Sequence, residues 1–208
     1  GAGTGISTRL LAHRGLQVFA IEPNAAMRDA ADPHPQVTWI AASAEATTLS
    51  ERSVDLIVCA QAFHWFRHDE ALAEFHRVLA PGGRLALIWN DDDRDDPVTN
   101  AYRHAVTRAA ARDWTGKNPF TPERLGDSGL FSPPRMQHFL HSQPLDLAGF
   151  IGRACSASYV PRHGELYDRM IEDLTAVHAK HADAAGHVAL GYRTDLYLSE
   201  AARLSSRA

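Results

Sequence analysis

From the start of the chain to Asn90, two kinds of stretch take turns. Short apolar runs at Leu16–Ile21, Val37–Ile40, Val54–Cys59 and Arg84–Trp89, the first bounded by Gly15 and Pro23, predict buried strands. Between them lie stretches with helical spacing, from Ile6 to Arg14, Asn24 to Ala31 and Asp69 to Leu79. In the last of these Leu72, Phe75, Val78 and Leu79 share one face. Such alternation predicts a mainly parallel sheet covered on both faces by helices. Pro81-Gly82-Gly83 turns the chain into the run that starts at Arg84.

Beyond Asn90 the pattern changes. A charged loop, Asp91 to Asp96, precedes a predicted helix from Val98 to Arg112, and a Gly-, Pro- and Asn-rich loop then carries Trp114 and Phe120. Arg135 to His141 predicts a strand, Leu147 to Ala157 and Glu165 to His181 predict helices, and Val188 to Leu198 predicts a final strand. The last two strands are expected to pair antiparallel at one edge. The expected fold class is therefore α/β, a Rossmann-like doubly wound sheet, mostly parallel with an antiparallel edge strand. The 91–134 stretch reads as a lid-like insert within a single domain of residues 1–208.

The chain opens on Gly1-Ala2-Gly3-Thr4-Gly5 with a helical pattern directly behind it. Glycines at alternate positions make a tight turn whose backbone approaches a ligand closely. The helix behind points free amides and its positive dipole end at that turn. In an α/β protein this turn follows the first strand and holds a nucleotide-like ligand. No apolar run precedes it here, so the expectation is a fragment, with the opening strand missing between the strands that end at Glu22 and Cys59.

Composition narrows the classes. With 208 residues, 45% hydrophobic and 22% charged, one globular core is affordable. A formal charge of -4 argues against a nucleic-acid substrate. Two cysteines, Cys59 and Cys155, suggest no disulfide framework and fit a reducing cytoplasm. No apolar run reaches membrane-spanning length. His138 with His141, and His178 with His181, have ligand-like spacing, but no third ligand clusters with them, so they read as surface histidines and no metal is expected.

Glu22 closes the second strand about twenty residues past the glycine turn, where a ribose-binding acid falls in nucleotide-binding βαβ units. Ser43-Ala44-Glu45 follows the third strand and Gln61-Ala62-Phe63-His64-Trp65-Phe66 the fourth. Leu79-Ala80-Pro81-Gly82-Gly83-Arg84 leads into the fifth. The third glycine of a dinucleotide fingerprint is replaced by Ile6, which disfavours a pyrophosphate cradle. The G-x-G-x-G turn with these four landmarks instead resembles class I S-adenosylmethionine-dependent methyltransferases. Within them it is similar to the methyltransferase type 11 branch of ubiquinone-type and trans-aconitate-type enzymes of small molecules. Ala62 to Phe66 and the closing Gly191-Tyr192-Arg193-Thr194-Asp195-Leu196-Tyr197 are similar to uncharacterised members of that branch.

The resemblance implies roles. Residues 1–90 form the cofactor-binding half, and 135–208 shape the acceptor pocket. Gly1, Gly3 and Gly5 line the amino-acid end of S-adenosylmethionine, and Glu22 accepts from both ribose hydroxyls. Ala44 meets the adenine through its backbone with Ser43 or Glu45 nearby, and Gln61 stands beside the methionine part. Trp65, Phe66, Trp89 and the insert's Trp114 and Phe120 wall a pocket for a small-molecule methyl acceptor, a carboxylate or hydroxyl. His64 is the candidate base for a hydroxyl. Two other classes stay open: a nicotinamide-dependent oxidoreductase, and a non-catalytic cofactor-binding fragment. Each site residue also has a plainer reading. Glu22 can be a solvated strand end, His64-Trp65-Phe66 can be packing, and Cys59 an inert buried thiol.

Overall fold

The computed structural model describes residues 1–110, 121–157 and 159–203, so Trp114 and Phe120 lie outside the described residues. In chain order the elements are α1 (Ile6–Ala12), β1 (Val18–Ile21), α2 (Ala25–Asp29), β2 (Val37–Ile40) and β3 (Val54–Ala60). A 3-10 turn (Phe63–Trp65), α3 (His68–Val78), β4 (Leu79–Asp92), α4 (Pro97–Ala109) and α5 (Glu123–Asp127) follow. The chain continues through β5 (Arg135–Leu145), α6 (Leu147–Cys155), α7 (Glu165–His181) and β6 (Val188–Glu200).

β1 and β2 pair in parallel, from Val18 opposite Val37 to Ile21 opposite Ile40. A second sheet has the order β3-β4-β6-β5, with β3 parallel to β4 as far as Ala60 opposite Ile88. β6 runs against β4: the Asp93 amide donates to Gly191 and the Thr194 hydroxyl to Asn90, so partner numbers fall as chain numbers rise. β5 opposes β6 in the same way, since His138 meets Asp195 while His141 stacks on Tyr192. The sheet is thus mixed, with the two closing strands antiparallel, as their place in the sequence predicts.

β1 and β3 do not pair with each other. Their facing edges line a cavity of about 390 Å³ whose walls include Val18, Ala20, Val54, Leu56 and Val58.

The chain packs as two compact units. Among the described residues the first comprises 1–89, 121–137 and 196–203, and the second 90–110 and 138–195. The first is built around Phe63, Leu72, Phe75, Leu85, Leu87, Leu125 and Phe131. The apolar face read from the α3 sequence supplies Leu72 and Phe75, and the β4 run supplies Leu85 and Leu87. Burying each such side chain stabilises by about 1.5–3 kcal/mol. The second is built around Tyr102, Val106, Phe150, Met170, Leu174 and Leu190 from α4, α6, α7 and β6.

Two details differ from the sequence expectations. β4 begins at Leu79 and passes through Pro81-Gly82-Gly83 to Asp92, longer than the apolar run at 84–89. The acidic run is not all solvated loop. Asp96 caps α4, accepting from the Thr99 amide at 2.7 Å and its hydroxyl at 2.5 Å.

Glu74 ties the segment after β2 to α3. Its carboxylate, 10% exposed, accepts from the Thr47 amide at 2.9 Å, the Thr47 hydroxyl at 2.5 Å and Arg77 Nε at 2.7 Å. The Arg77 hydrogen bond, aided by Thr47, holds this carboxyl at about 2, below its usual 4.5. A lowered folded pKa gives stability that is complete above the unfolded value and is lost as pH falls toward the folded one. Glu74→Gln is therefore expected to cost about 1.5–3 kcal/mol at neutral pH. The same change should flatten the stability loss between about pH 5 and pH 2; denaturant melts across that range measure both.

Candidate functional site

The first unit places its glycines against three different elements. A Cβ on Gly1 would meet Ala62 Cβ at 2.9 Å and the Phe66 ring at 3.2 Å, so the segment after β3 closes directly on the turn. A Cβ on Gly5 would meet Trp39 Cζ2 of β2 at 2.9 Å. Gly5 is also the residue that starts α1, at φ +81°, a left-handed conformation open to glycine at little cost. Gly3, at φ +58°, turns its amide onto Glu22.

Glu22 is the centre of the arrangement. It ends β1, is 7% exposed, and points back over the glycine turn. Oε2 accepts from the Gly3 amide at 2.9 Å and Oε1 from the Asn24 amide at 3.0 Å. A buried carboxylate needs such donors. Each oxygen has room for about two, so each keeps one acceptor position for a hydroxyl pair. Arg28 Nη1 bonds the backbone carbonyls of Glu22 and Pro23 at 2.7 and 2.9 Å, which fixes the turn after β1.

The remaining landmarks are less uniform. Ala44 is 5% exposed and lies in the first unit's core with Cys59 and Phe63. Ser43 forms an antiparallel bridge with Ala46. Glu45 Oε1 accepts the Arg67 amide at 3.0 Å at the start of α3. Partial burial opposes its ionisation, and hydrogen bonds from the Arg67 amide, its own amide and Ser43 outweigh that and keep the carboxyl below its usual range. Gln61 adopts φ +54°, rare for a side chain of this kind, with its amide bonded to Ile88 at 2.9 Å. Strain of this sort costs of order 1–3 kcal/mol and gathers at functional sites.

The aromatic string divides. Phe63 is fully buried and stacks on His68, with ring centroids 4.6 Å apart. Phe66 faces Gly1 and Phe75. Trp65 is 69% exposed. The Trp89 indole lies edge-on to Tyr197 at 5.7 Å and donates to His64 Nδ1 at 3.4 Å. That bond leaves the proton of a neutral His64 on Nε2. Burial pushes the Cys59 thiol up to about 12, which makes it unreactive.

In the second unit neither half of the His138/His141 pair is simply solvated. His138 Nδ1 lies 2.6 Å from the Asp195 carboxylate, and His141 Nε2 2.9 Å from Asn90 Oδ1. Sequence reading missed these partners. The one available signal was Asp195 itself, an acid placed mid-way along the predicted final strand. Among the described residues no group of three His, Cys, Asp or Glu side chains is placed to hold a metal ion, and no helix is long and apolar enough to cross a membrane.

In an α/β protein, a strand-end acid that turns back over a glycine turn is an arrangement suited to a nucleotide-like ligand. The comparisons with known proteins agree in kind. Residues 1–87 match the family described as a methyltransferase domain. An uncharacterized methyltransferase-like protein of Schizosaccharomyces pombe is 45% identical over 100 residues, 47% of this chain and 38% of that protein. An uncharacterized methyltransferase of Mycobacterium tuberculosis is 37% identical over 153 residues, 61% of this chain and 60% of its own. A solved structure from Anaeromyxobacter dehalogenans, assigned as a type II methyltransferase, shares the fold with a TM-score of 0.62 and 23% identity. That match covers 97% of this chain and 86% of the other. Residues 1–87 thus resemble a methyltransferase domain, and these matches to the curated relatives span 38% and 60% of the relatives' own lengths.

Gly5→Ala combines a close approach with an unfavourable φ, whereas a Cβ on Gly3 meets nothing within 4 Å. Gly3→Ala is expected to cost about 1–2 kcal/mol through φ alone. Gly5→Ala should cost about 1–3 kcal/mol more through the clash with Trp39. Paired denaturant melts give the difference.

Proposed function

We propose that the chain binds S-adenosylmethionine over the glycine turn and transfers its methyl group to an oxygen of a small molecule. The observation that supports this most is the Glu22 carboxylate, buried, bonded to Gly3 and Asn24, and still able to accept from two neighbouring ribose hydroxyls. Gly1, Gly3 and Gly5 take the amino-acid end, Ser43 and Ala44 the adenine edge, and Gln61 the methionine part. Glu45 orders that edge by holding the start of α3. Trp65, Phe66, Trp89 and His64 line the acceptor side of the same unit.

The bound donor supplies a methyl group already activated on a sulfonium. The protein's contribution is alignment and exclusion of water. The crowding of Ala62 and Phe66 against Gly1 serves both, because it leaves little play in the turn. A carboxylate acceptor needs no base near pH 7. For a hydroxyl acceptor, His64 fits a proton-donating role better than the base role, since Trp89 occupies the Nδ1 lone pair.

A charge-assisted hydrogen bond is worth about 1.5–3 kcal/mol, roughly 10- to 150-fold in affinity. Calorimetric titration with S-adenosylhomocysteine is expected to show Glu22→Ala weaker than wild type by that factor and His64→Ala within about twofold. Equal affinity in wild type and Glu22→Ala refutes the ribose role. Parallel titration with NADH tests the oxidoreductase alternative, and binding of NADH in preference to S-adenosylhomocysteine establishes it.

A further inference from the structure

We infer that Arg9 is a positioning residue for the Glu22 carboxylate, acting through two peptide groups of the glycine turn; this rests on the methyl-transfer reading above. Arg9 closes the first turn of α1, its amide bonded to the Gly5 carbonyl at 2.9 Å. Its guanidinium folds back along the helix, and Nη1 donates to the Thr4 carbonyl at 2.9 Å. The other end of that peptide group is the Gly5 amide, which donates to the Ala2 carbonyl at 3.0 Å. The Ala2 carbonyl shares its peptide group with the Gly3 amide, which donates to Glu22 Oε2 at 2.9 Å. These peptides are planar and trans, so each carbonyl and the amide across its C–N bond point opposite ways and turn together. Three hydrogen bonds therefore run head to tail from a cation to a carboxylate.

All three donors lie on the Arg9 side of their bonds, so each bond polarises the next in the same sense. The Gly3 amide at the far end becomes a better donor to Glu22. The route also restrains the turn. Gly3 and Gly5 hold φ of +58° and +81°, and a stretch with three glycines has many other conformations open to it. Gripping the Thr4 carbonyl fixes one peptide plane, and the Gly5-to-Ala2 bond passes that restraint to the next. The guanidinium is itself placed: a Cβ on Gly5 would lie 3.5 Å from Nη1, and Nη2 is 3.4 Å from the Asp32 carboxylate.

These contacts do little for the fold. The Asp32 side chain is 77% exposed, and exposed ion pairs contribute little to stability. A cation drawn toward the amino-terminal end of a helix is opposed by the helix dipole, so α1 gains nothing from the arrangement. What Arg9 supplies is the aim of the Gly3 amide. Without it the turn loosens, and Glu22 keeps the Asn24 amide on Oε1 but loses the donor that holds Oε2 over the turn. Every residue on the route belongs to the first unit.

Amide hydrogen exchange on the full chain without ligand is expected to be at least about 10-fold faster at Gly3 and Gly5 in Arg9→Ala than in wild type, with Arg9→Lys in between. Unchanged exchange at Leu174, in the second unit's core, separates a loosened turn from global unfolding. Should Leu174 also exchange faster in Arg9→Ala, Arg9→Lys against wild type at Gly3 decides. By calorimetry Arg9→Ala should weaken S-adenosylhomocysteine by about 10-fold, the low end of what a charge-assisted hydrogen bond transmits. Arg9→Lys should recover most of this, to within about threefold of wild type. In a Glu22→Ala background Arg9→Ala should cost less than about twofold, because the route then ends on a missing carboxylate. Gly3 exchange unaffected by either Arg9 variant, or an Arg9→Ala cost as large in Glu22→Ala as in wild type, overturns the assignment. Failure of wild type to bind S-adenosylhomocysteine sinks the methyl-transfer reading instead, while Gly3 exchange still decides whether Arg9 holds the turn.

Discussion

The hydrogen bond between the Gly3 amide and the Glu22 carboxylate joins positions 19 residues apart and sets the geometry of the whole amino-terminal site. A carboxylate at a strand end has water as its default partner. Here it is turned inward, and the cost of burial is met by two backbone amides supplied by the glycine turn and by Asn24. The turn is in turn held open by glycine: Gly5 sits where a methyl group would strike Trp39, and Gly1 where one would strike Ala62. The acid orders the loop and the loop orients the acid, so each holds the other in place.

Two histidines in the chain illustrate how a partner on one ring nitrogen decides what the other can do. An indole donor meets Nδ1 of His64, and a carboxylate meets Nδ1 of His138. The residue type is the same and the partners are opposite in kind. Strand pairing produces the second case, since β5 and β6 bring together side chains 57 residues apart. The Asp195–Arg193 pair is local to β6, and the imidazole joins it only when the sheet forms.

The two packing units divide the chain in a way that mirrors this. The first holds the glycine turn, Glu22 and the aromatic segment after β3, on a core of α3, β3 and β4 side chains. The second draws α4, α6 and α7 onto β6 and holds the Arg153–Tyr192 hydrogen bond.

Much of the amino-terminal half was legible beforehand. Apolar runs of strand length and one amphipathic helix face are local patterns, and they became the elements expected of them. What was not legible depended on contacts between distant residues. The true ends of β4 and the capping role of Asp96 follow from neighbours absent from any sequence window. The sequence by itself determined which residues form helices and strands and which acid lies near the glycines, because periodicity and spacing act within about twenty residues. Only tertiary structure decided where that carboxylate points and which group meets Nδ1 of His64 and of His138, because hydrogen-bond partners are assigned by packing rather than by order along the chain.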